Sequence, residues 1–242
     1  YILEEGLPME ALARISRSIA KASKRAGVQV VAGDTKVVNK GHGDGIYINT
    51  SGIGVVPDEL KIGPERAQPG DAILISGSVG DHGIAIMSVR EGLKFQTEIQ
   101  SDTAPLGDMV QAMLASGAHI HCLRDATRGG LAAVLNELAA ASQTGMEFDE
   151  THVPVRREVQ AACEMLGLDP LFIANEGKMV CIVQQADAEL ALSCMRASPY
   201  GRDAVRIGQV VSEHPGMVVA RTSVGGKRVV DLPAGELLPR IC

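Results

Sequence analysis

Four short segments hold more acids, hydroxyls, cations and glycines than a connection between elements needs. Gly33-Asp34-Thr35-Lys36 follows a β-branched run and delivers a carboxylate, a hydroxyl and an ammonium within three residues. Hard cations take oxygen ligands and a lysine offsets phosphate charge, so this spacing suits Mg²⁺ and a polyphosphate; a Gly-Asp turn with an exposed lysine is the simpler reading of the segment alone. Ser76-Gly77-Ser78-Val79-Gly80-Asp81-His82-Gly83 sets three glycines between a strand and a helix, where backbone N–H groups can face an anion. It has neither the dinucleotide nor the P-loop spacing, and Asp81 equally suits a helix N-cap, with His82 in the first turn. Arg124-Asp125-Ala126-Thr127-Arg128-Gly129-Gly130 offers two guanidinium groups, a carboxylate and a glycine pair that admits close backbone approach to a ligand, or else a salt-bridged helix cap. Ala174-Asn175-Glu176-Gly177-Lys178 places Glu176 at the mouth of a core strand, as a general base or a supporting metal contact, or as part of an ordinary turn with Asn175 as its turn residue.

Cysteine supplies the fifth candidate. Of five cysteines, Cys242 is the last residue, on the Pro-containing Leu237-Leu238-Pro239-Arg240-Ile241-Cys242 stretch. A thiol on such a tail is exposed and can swing between sites, as a substrate-carrying arm must; an incidental free cysteine is the alternative. Prenylation would require the cysteine fourth from the end. Cys122, Cys163, Cys181 and Cys194 form no C-x-x-C pair, which argues against structural zinc or a disulfide framework, and burial is expected for them.

The elements that must position these groups follow from periodicity. Leu12, Ile15, Ile19, Ala22 and Ala26 recur at helical steps and Gly27 stops the helix, which is expected to lay one face on a sheet. Val28–Val31 and Ile46–Val56 read as strands around a glycine-rich loop. A cluster of Pro and Gly over 57–70 marks a boundary. Beyond it the pattern predicts strands at 71–76, 120–123, 146–148, 178–183, 205–211, 217–222 and 228–231. Helices are predicted at 83–91, 106–114, 131–142, 155–166 and 187–197, with Pro154 opening the helix at 155. Strands and helices alternate without a strict β-helix-β unit, so a mixed α+β architecture is favoured. The domains expected are 1–61, the remainder of an N-terminal domain; 62–231, a C-terminal α+β domain; and 232–242, a mobile tail. The start at Tyr1, directly in a patterned segment, suggests upstream sequence that is processed or not represented.

Composition narrows the function. The 242 residues are 45% hydrophobic, enough for a core, and no apolar run approaches the roughly 18 residues that cross a bilayer. With 23 basic against 29 acidic residues and only three Tyr, three Phe and no Trp, nucleic acid is not an expected partner. A cytoplasmic protein without a membrane partner is expected.

In this order, Gly33-Asp34-Thr35-Lys36, Gly80-Asp81-His82-Gly83, Asp125-Ala126-Thr127-Arg128-Gly129-Gly130, Asn175-Glu176-Gly177-Lys178 and Pro239-Arg240-Ile241-Cys242 closely resemble the HypE family of carbamoyl dehydratases. That family lies within the superfamily of aminoimidazole ribonucleotide (AIR) synthetase, selenophosphate synthetase and thiamine-phosphate kinase. The resemblance implies a PurM-like two-domain fold, a homodimer formed through the N-terminal sheet, and ATP with Mg²⁺ bound in a cleft. It implies hydrogenase maturation: a carbamoyltransferase, HypF, loads Cys242, the carbamoyl group is dehydrated at the expense of ATP, and the cyano group passes to iron on a HypC–HypD complex. By the same resemblance Asp34 helps hold Mg²⁺ and Lys36 contacts phosphate or the carbamoyl oxygen. Glu176 is the preferred base with His82 as its rival, and Asp125, Arg128, Gly129 and Gly130 line the nucleotide or tail channel. The family's upstream glycine-rich start and acidic metal-binding segments do not occur in this sequence. A selenophosphate-synthetase-like phosphotransferase and a non-catalytic docking module are the competing readings.

Overall fold

The computed structural model describes residues 1–90, 92 and 99–232, in two compact units, Tyr1–Leu60 and Lys61–Cys242. In the first, strand β1 (Ile2–Glu4) is followed by helix α1 (Met9–Ala26), then β2 (Lys36–Val38) and β3 (Ile46–Tyr47). β1 sits centrally, parallel to β2 and antiparallel to β3. Gly27 ends α1 in the left-handed region, φ 66°, and the Val28 N–H returns to the Ser23 carbonyl. Leu12, Ile15 and Ile19 are only half-buried, because three strands of two or three residues present too little surface to cover a helix face. The glycine-rich loop is instead held by Glu4, whose carboxylate accepts from the Gly41 and Gly45 N–H groups at 2.5 and 3.0 Å. Those bonds, Gly45 first, hold the Glu4 carboxyl below its usual range.

Two expected strands are corrected. Val28–Val31 forms none, and of Ile46–Val56 only Ile46 and Tyr47 pair. Val30, Val31, Ile53, Val55 and Val56 are exposed. β-branched residues favour a pleated surface only when a neighbouring ladder completes it, and among the described residues no strand lies alongside these segments.

The second unit contains β4 (Ala72–Ile75), α2 (Asp81–Arg90), α3 (Gly107–Ala115), β5 (Ile120–Asp125), α4 (Gly130–Ser142), β6 (Gly145–Asp149), α5 (Arg157–Leu166), β7 (Met179–Val183), α6 (Ala188–Ala197), β8 (Val205–Val211), β9 (Val218–Arg221) and β10 (Lys227–Val229). Its seven-stranded sheet runs β10-β9-β6-β8-β4-β7-β5, antiparallel except for the β6–β9 pair. Alternation places Ile73 and Ile75 of β4 with Val180 and Ile182 of β7 on one face, packed on Leu131, Leu135 and Leu138 of α4. Leu74, Cys181 and Val183 face the other way onto Met109 and Met113 of α3 and Leu192 and Met195 of α6. Each Ile or Leu buried there contributes roughly 1.5–3 kcal/mol. This is the mixed α/β architecture expected. A smaller cluster joins Ile84 of α2 to Val159, Ala162 and Cys163 of α5 and to Ile173.

Pro154 does not open α5: the helix starts at Arg157, and Arg156 before it is extended, φ −66° and ψ 144°. No helix among the described residues is long and apolar enough to cross a membrane. Residues 233–242, including Cys242, lie outside the described residues.

Candidate functional site

Sheet topology brings three of the sequence's polar loops to one end of the second unit. β7 is antiparallel to both β4 and β5, with Ile75 opposite Val180 and Asp125 opposite Met179. The loops leaving β4 and β5 therefore meet the loop entering β7. Backbone bonds lace them: Ser76 N–H to the Met179 carbonyl at 3.0 Å, Ala126 N–H to the Lys178 carbonyl at 3.0 Å, and Gly83 N–H to the Ala174 carbonyl at 3.0 Å.

Asn175 is the centre of this lacing rather than a simple turn residue. Fully buried, it accepts from the Gly80 N–H at 2.8 Å and donates through Nδ2 to the Ala126 carbonyl at 2.8 Å and the Ile173 carbonyl at 3.1 Å. Glycine is required where these loops press together. Gly130 has φ 64°, and a Cβ there would stand 2.6 Å from the carbonyl oxygens of Leu171 and Ile173, while a Cβ on Gly83 would collide with Ile173.

Buried charge gathers in the same place. Asp81 opens α2 as its first residue, not as its N-cap; Ser78 Oγ donates to its Oδ2 at 2.6 Å and Arg156 Nε lies 3.4 Å from Oδ1. That second approach is an ion pair without hydrogen-bond geometry, so the buried Oδ1 lacks a hydrogen bond. The Asp102 carboxylate is 2% exposed, with Lys178 Nζ 3.5 Å from its Oδ2. Burial raises the Asp81 carboxyl above its ordinary value, against the Ser78 bond and the Arg156 and Lys178 charges, and Asp102 raises it further. A raised folded-state value makes the contribution of Asp81 to stability most favourable below the unfolded value of about 3.9 and less so as pH rises past it. Asp81→Asn should therefore melt higher than the parent near pH 7, an advantage that shrinks at about pH 3.5; thermal scans at the two pH values check this.

His82, in the first turn of α2, places Nδ1 2.8 Å from Ser101 Oγ, which is 2.7 Å from Thr103 Oγ1. Its buried Nε2 has no partner among the described residues.

The second unit and the first both match known models. Residues 68–220 match the AIR synthase related protein C-terminal domain and residues 1–56 the corresponding N-terminal domain. The whole chain is 54% identical over 242 residues to carbamoyl dehydratase HypE of Cupriavidus necator, covering 69% of that protein. The chain belongs to the HypE family. Two solved HypE structures superpose closely on it. One is a complex with ATP, 49% identical, TM-score 0.95, covering all of this chain and 73% of that one. The other is a HypE–HypF complex, 48% identical, TM-score 0.92, covering 96% and 75%.

Against the HypE pattern, the residues singled out in the sequence fall into three groups. His82, Glu176, Asp125, Arg128, Gly129 and Gly130 all lie on or directly beside the three loops that meet at the end of the second unit's sheet. Asp125 is half-exposed, bonded to Thr127 Oγ1 at 3.0 Å and to Arg124 at 3.3 Å, and Arg124 also reaches Glu137 of α4, so ion pairs link the end of β5 to α4 while no side chain caps that helix. Gly129, in the left-handed region at φ 76°, caps α4. Asp34 and Lys36 belong to the first unit, where both are exposed; the Thr35 N–H donates to Asp34 Oδ1 at 2.8 Å. Cys242 is outside the described residues. Sequence reasoning missed Ser101, Asp102 and Arg156, and Ser78 is quoted there only as part of a motif. Lys178, quoted only as the end of a motif, was the one signal pointing to a buried counter-charge.

Proposed function

We infer that this chain is an ATP-dependent carbamoyl dehydratase of hydrogenase maturation. The observation that carries this is identity of 54% sustained along the whole chain with a carbamoyl dehydratase HypE. Binding of ATP and engagement of a HypF carbamoyltransferase come from the solved relatives in complex with each. Cys242 carries the carbamoyl group as a thiocarbamate. The carbamoyl oxygen attacks the γ-phosphorus of ATP, forming an O–P bond as the bond to ADP breaks. An amide oxygen is a poor leaving group and its phosphate ester a good one. Loss of the two nitrogen protons and cleavage of the C–O bond then release phosphate and leave a thiocyanate on sulfur. The product cyano group is taken up as an iron ligand by a HypC–HypD complex.

Glu176 serves as the base for a nitrogen proton, its backbone fixed by the loop lacing around Asn175, and His82 is the rival for that role. Lys36 supports the phosphoryl or carbamoyl oxygen, and Asp125, Arg128, Gly129 and Gly130 line the channel for nucleotide or tail. Mg²⁺ would be held by Asp34 with phosphate oxygens and water. One exposed carboxylate suits that ion, which keeps several waters, and among the described residues no cluster of three His, Cys, Asp or Glu side chains offers a closed metal cage. When bound, Mg²⁺ supplies charge neutralisation on the phosphates. The active form is a homodimer, and the free cysteines of the second unit suit the reducing cytoplasm.

Glu176→Gln should still accept the carbamoyl group from HypF yet dehydrate it at least about 100-fold more slowly, the usual scale of a lost general base. Mass spectrometry of the C-terminal peptide, following loss of the elements of water after ATP addition, checks this. Equal rates for parent and Glu176→Gln, with a slow His82→Gln, would move the base to His82. A phosphotransferase acting on a free substrate would keep its activity after deletion of residues 239–242.

A further inference from the structure

We propose that Asp102 is a positioning residue for dehydration, holding Glu176 in place through its backbone; this rests on the reading of Glu176 as the base. The contacts arrive from 74 residues away in sequence. Asp102 Oδ1 accepts from the Glu176 N–H at 2.9 Å, and Asp102 Oδ2 faces the Lys178 ammonium at 3.5 Å, so one carboxylate brackets Gly177 from both sides. Gly177 lies against the same strand of chain: a Cβ there would collide with the Asp102 carbonyl oxygen and stand 2.9 Å from Ala104. Backbone thus touches backbone, with no side chain between to absorb a shift. The next residue back, Ser101, holds His82 Nδ1 at 2.8 Å. A single segment therefore fixes Glu176, Lys178 and His82 together.

An aspartate side chain 2% exposed would be costly to bury if it only filled space, because its charge loses hydration. Two functions offset this cost: a charge-assisted bond to a backbone N–H, which is short and directional, and neutralisation of the largely buried Lys178 side chain. The N–H bond acts on the main chain of Glu176 and leaves its carboxylate free for substrate. Asp102 does not touch the reacting atoms; it limits how far the base can drift.

The test is made on the intact protein, carbamoylated by HypF and then mixed with ATP. Two quantities are read: the first-order rate of water loss from the C-terminal peptide at saturating ATP, and the ATP concentration giving half that rate. Asp102→Ala should slow dehydration roughly 10- to 100-fold with the ATP requirement within about twofold, since a displacement near 1 Å has that effect on a positioned group. Asp102→Asn keeps an oxygen for the Glu176 N–H and should recover most of the lost rate. It also keeps the proposal testable if the alanine variant does not fold, for a folded Asp102→Asn protein as slow as Glu176→Gln overturns it. An unchanged rate in Asp102→Ala, or a shift confined to the ATP requirement, overturns it as well. Glu176→Gln is run beside them: parental rates there would remove the base assignment itself, whereas a slow Glu176→Gln with a normal Asp102→Ala would remove only the positioning role.

Discussion

Cys242→Ala protein should take up no carbamoyl group from HypF and form no thiocyanate, a complete loss. Three of the other four thiols are held back from reaction by burial. Nucleophilic sulfur is thiolate, and burial disfavours that charge. Cys122, 1% exposed on β5, is pushed up to about 12, burial first and the Asp71 charge second, and donates to the Gly63 carbonyl at 3.0 Å. Cys163 on α5 is pushed up to about 11 by burial, with Asp169 and Glu164 adding to it. Cys181, inside β7, is displaced further still in the same direction. Cys194 is half-buried on α6, packed beside the core that includes Leu192 and Met195. Mass spectrometry of every cysteine-containing peptide after incubation with HypF and its carbamoyl donor settles the matter. Carbamoylation of the Cys242→Ala protein at parental level would sink the substrate-arm reading.

Asn175→Ala should lower stability by about 3 kcal/mol, because it strips the Gly80 N–H of its acceptor and withdraws a donor from two buried carbonyls, each such loss costing about 1–3 kcal/mol. The Ala126 carbonyl keeps the Asn175 backbone N–H at 3.1 Å, so the lower part of the summed range applies. In a chain of this size that is a fall of roughly 6–12 °C in melting temperature. Dehydration should fall more steeply than stability, since the same amide sets the spacing of the loops at 76–83, 125–130 and 174–178. Urea unfolding checks the first statement, and the rate of water loss from the carbamoylated tail at a temperature where the variant is folded checks the second. A melting temperature within about 1 °C of the parent would show that the loops hold one another without the amide.

Most elements of the second unit are legible from periodicity. β8 runs Val205–Val211 as the apolar pattern predicts, and the Ala/Leu-rich stretch forms α4 from Gly130 to Ser142. These segments carry their own signal: enough buried positions at one period, ended by glycine or a polar turn. The first unit is less legible. β1 and β2 are three residues each, too short to show a period, and Val28–Val31 carries strand-forming residues without strand pairing. A strand is a relation between two segments, and local composition reports only one of them.

The sequence by itself determined the family, the element types of the second unit, the polar loops and the cysteine proposed as the substrate carrier. Those properties are local: residue identity, spacing within a few positions, and order along the chain. Only the tertiary structure decided that Asn175 is a buried tie, that Asp81 belongs to a charged cluster rather than a helix cap, and that Asp102 reaches Glu176. The reason is distance along the chain. Gly80 and Asn175 are separated by 95 positions, and Asp102 and Glu176 by 74. Hydrogen bonds of that span leave no period in either segment, and their partners meet only because β7 runs antiparallel between β4 and β5.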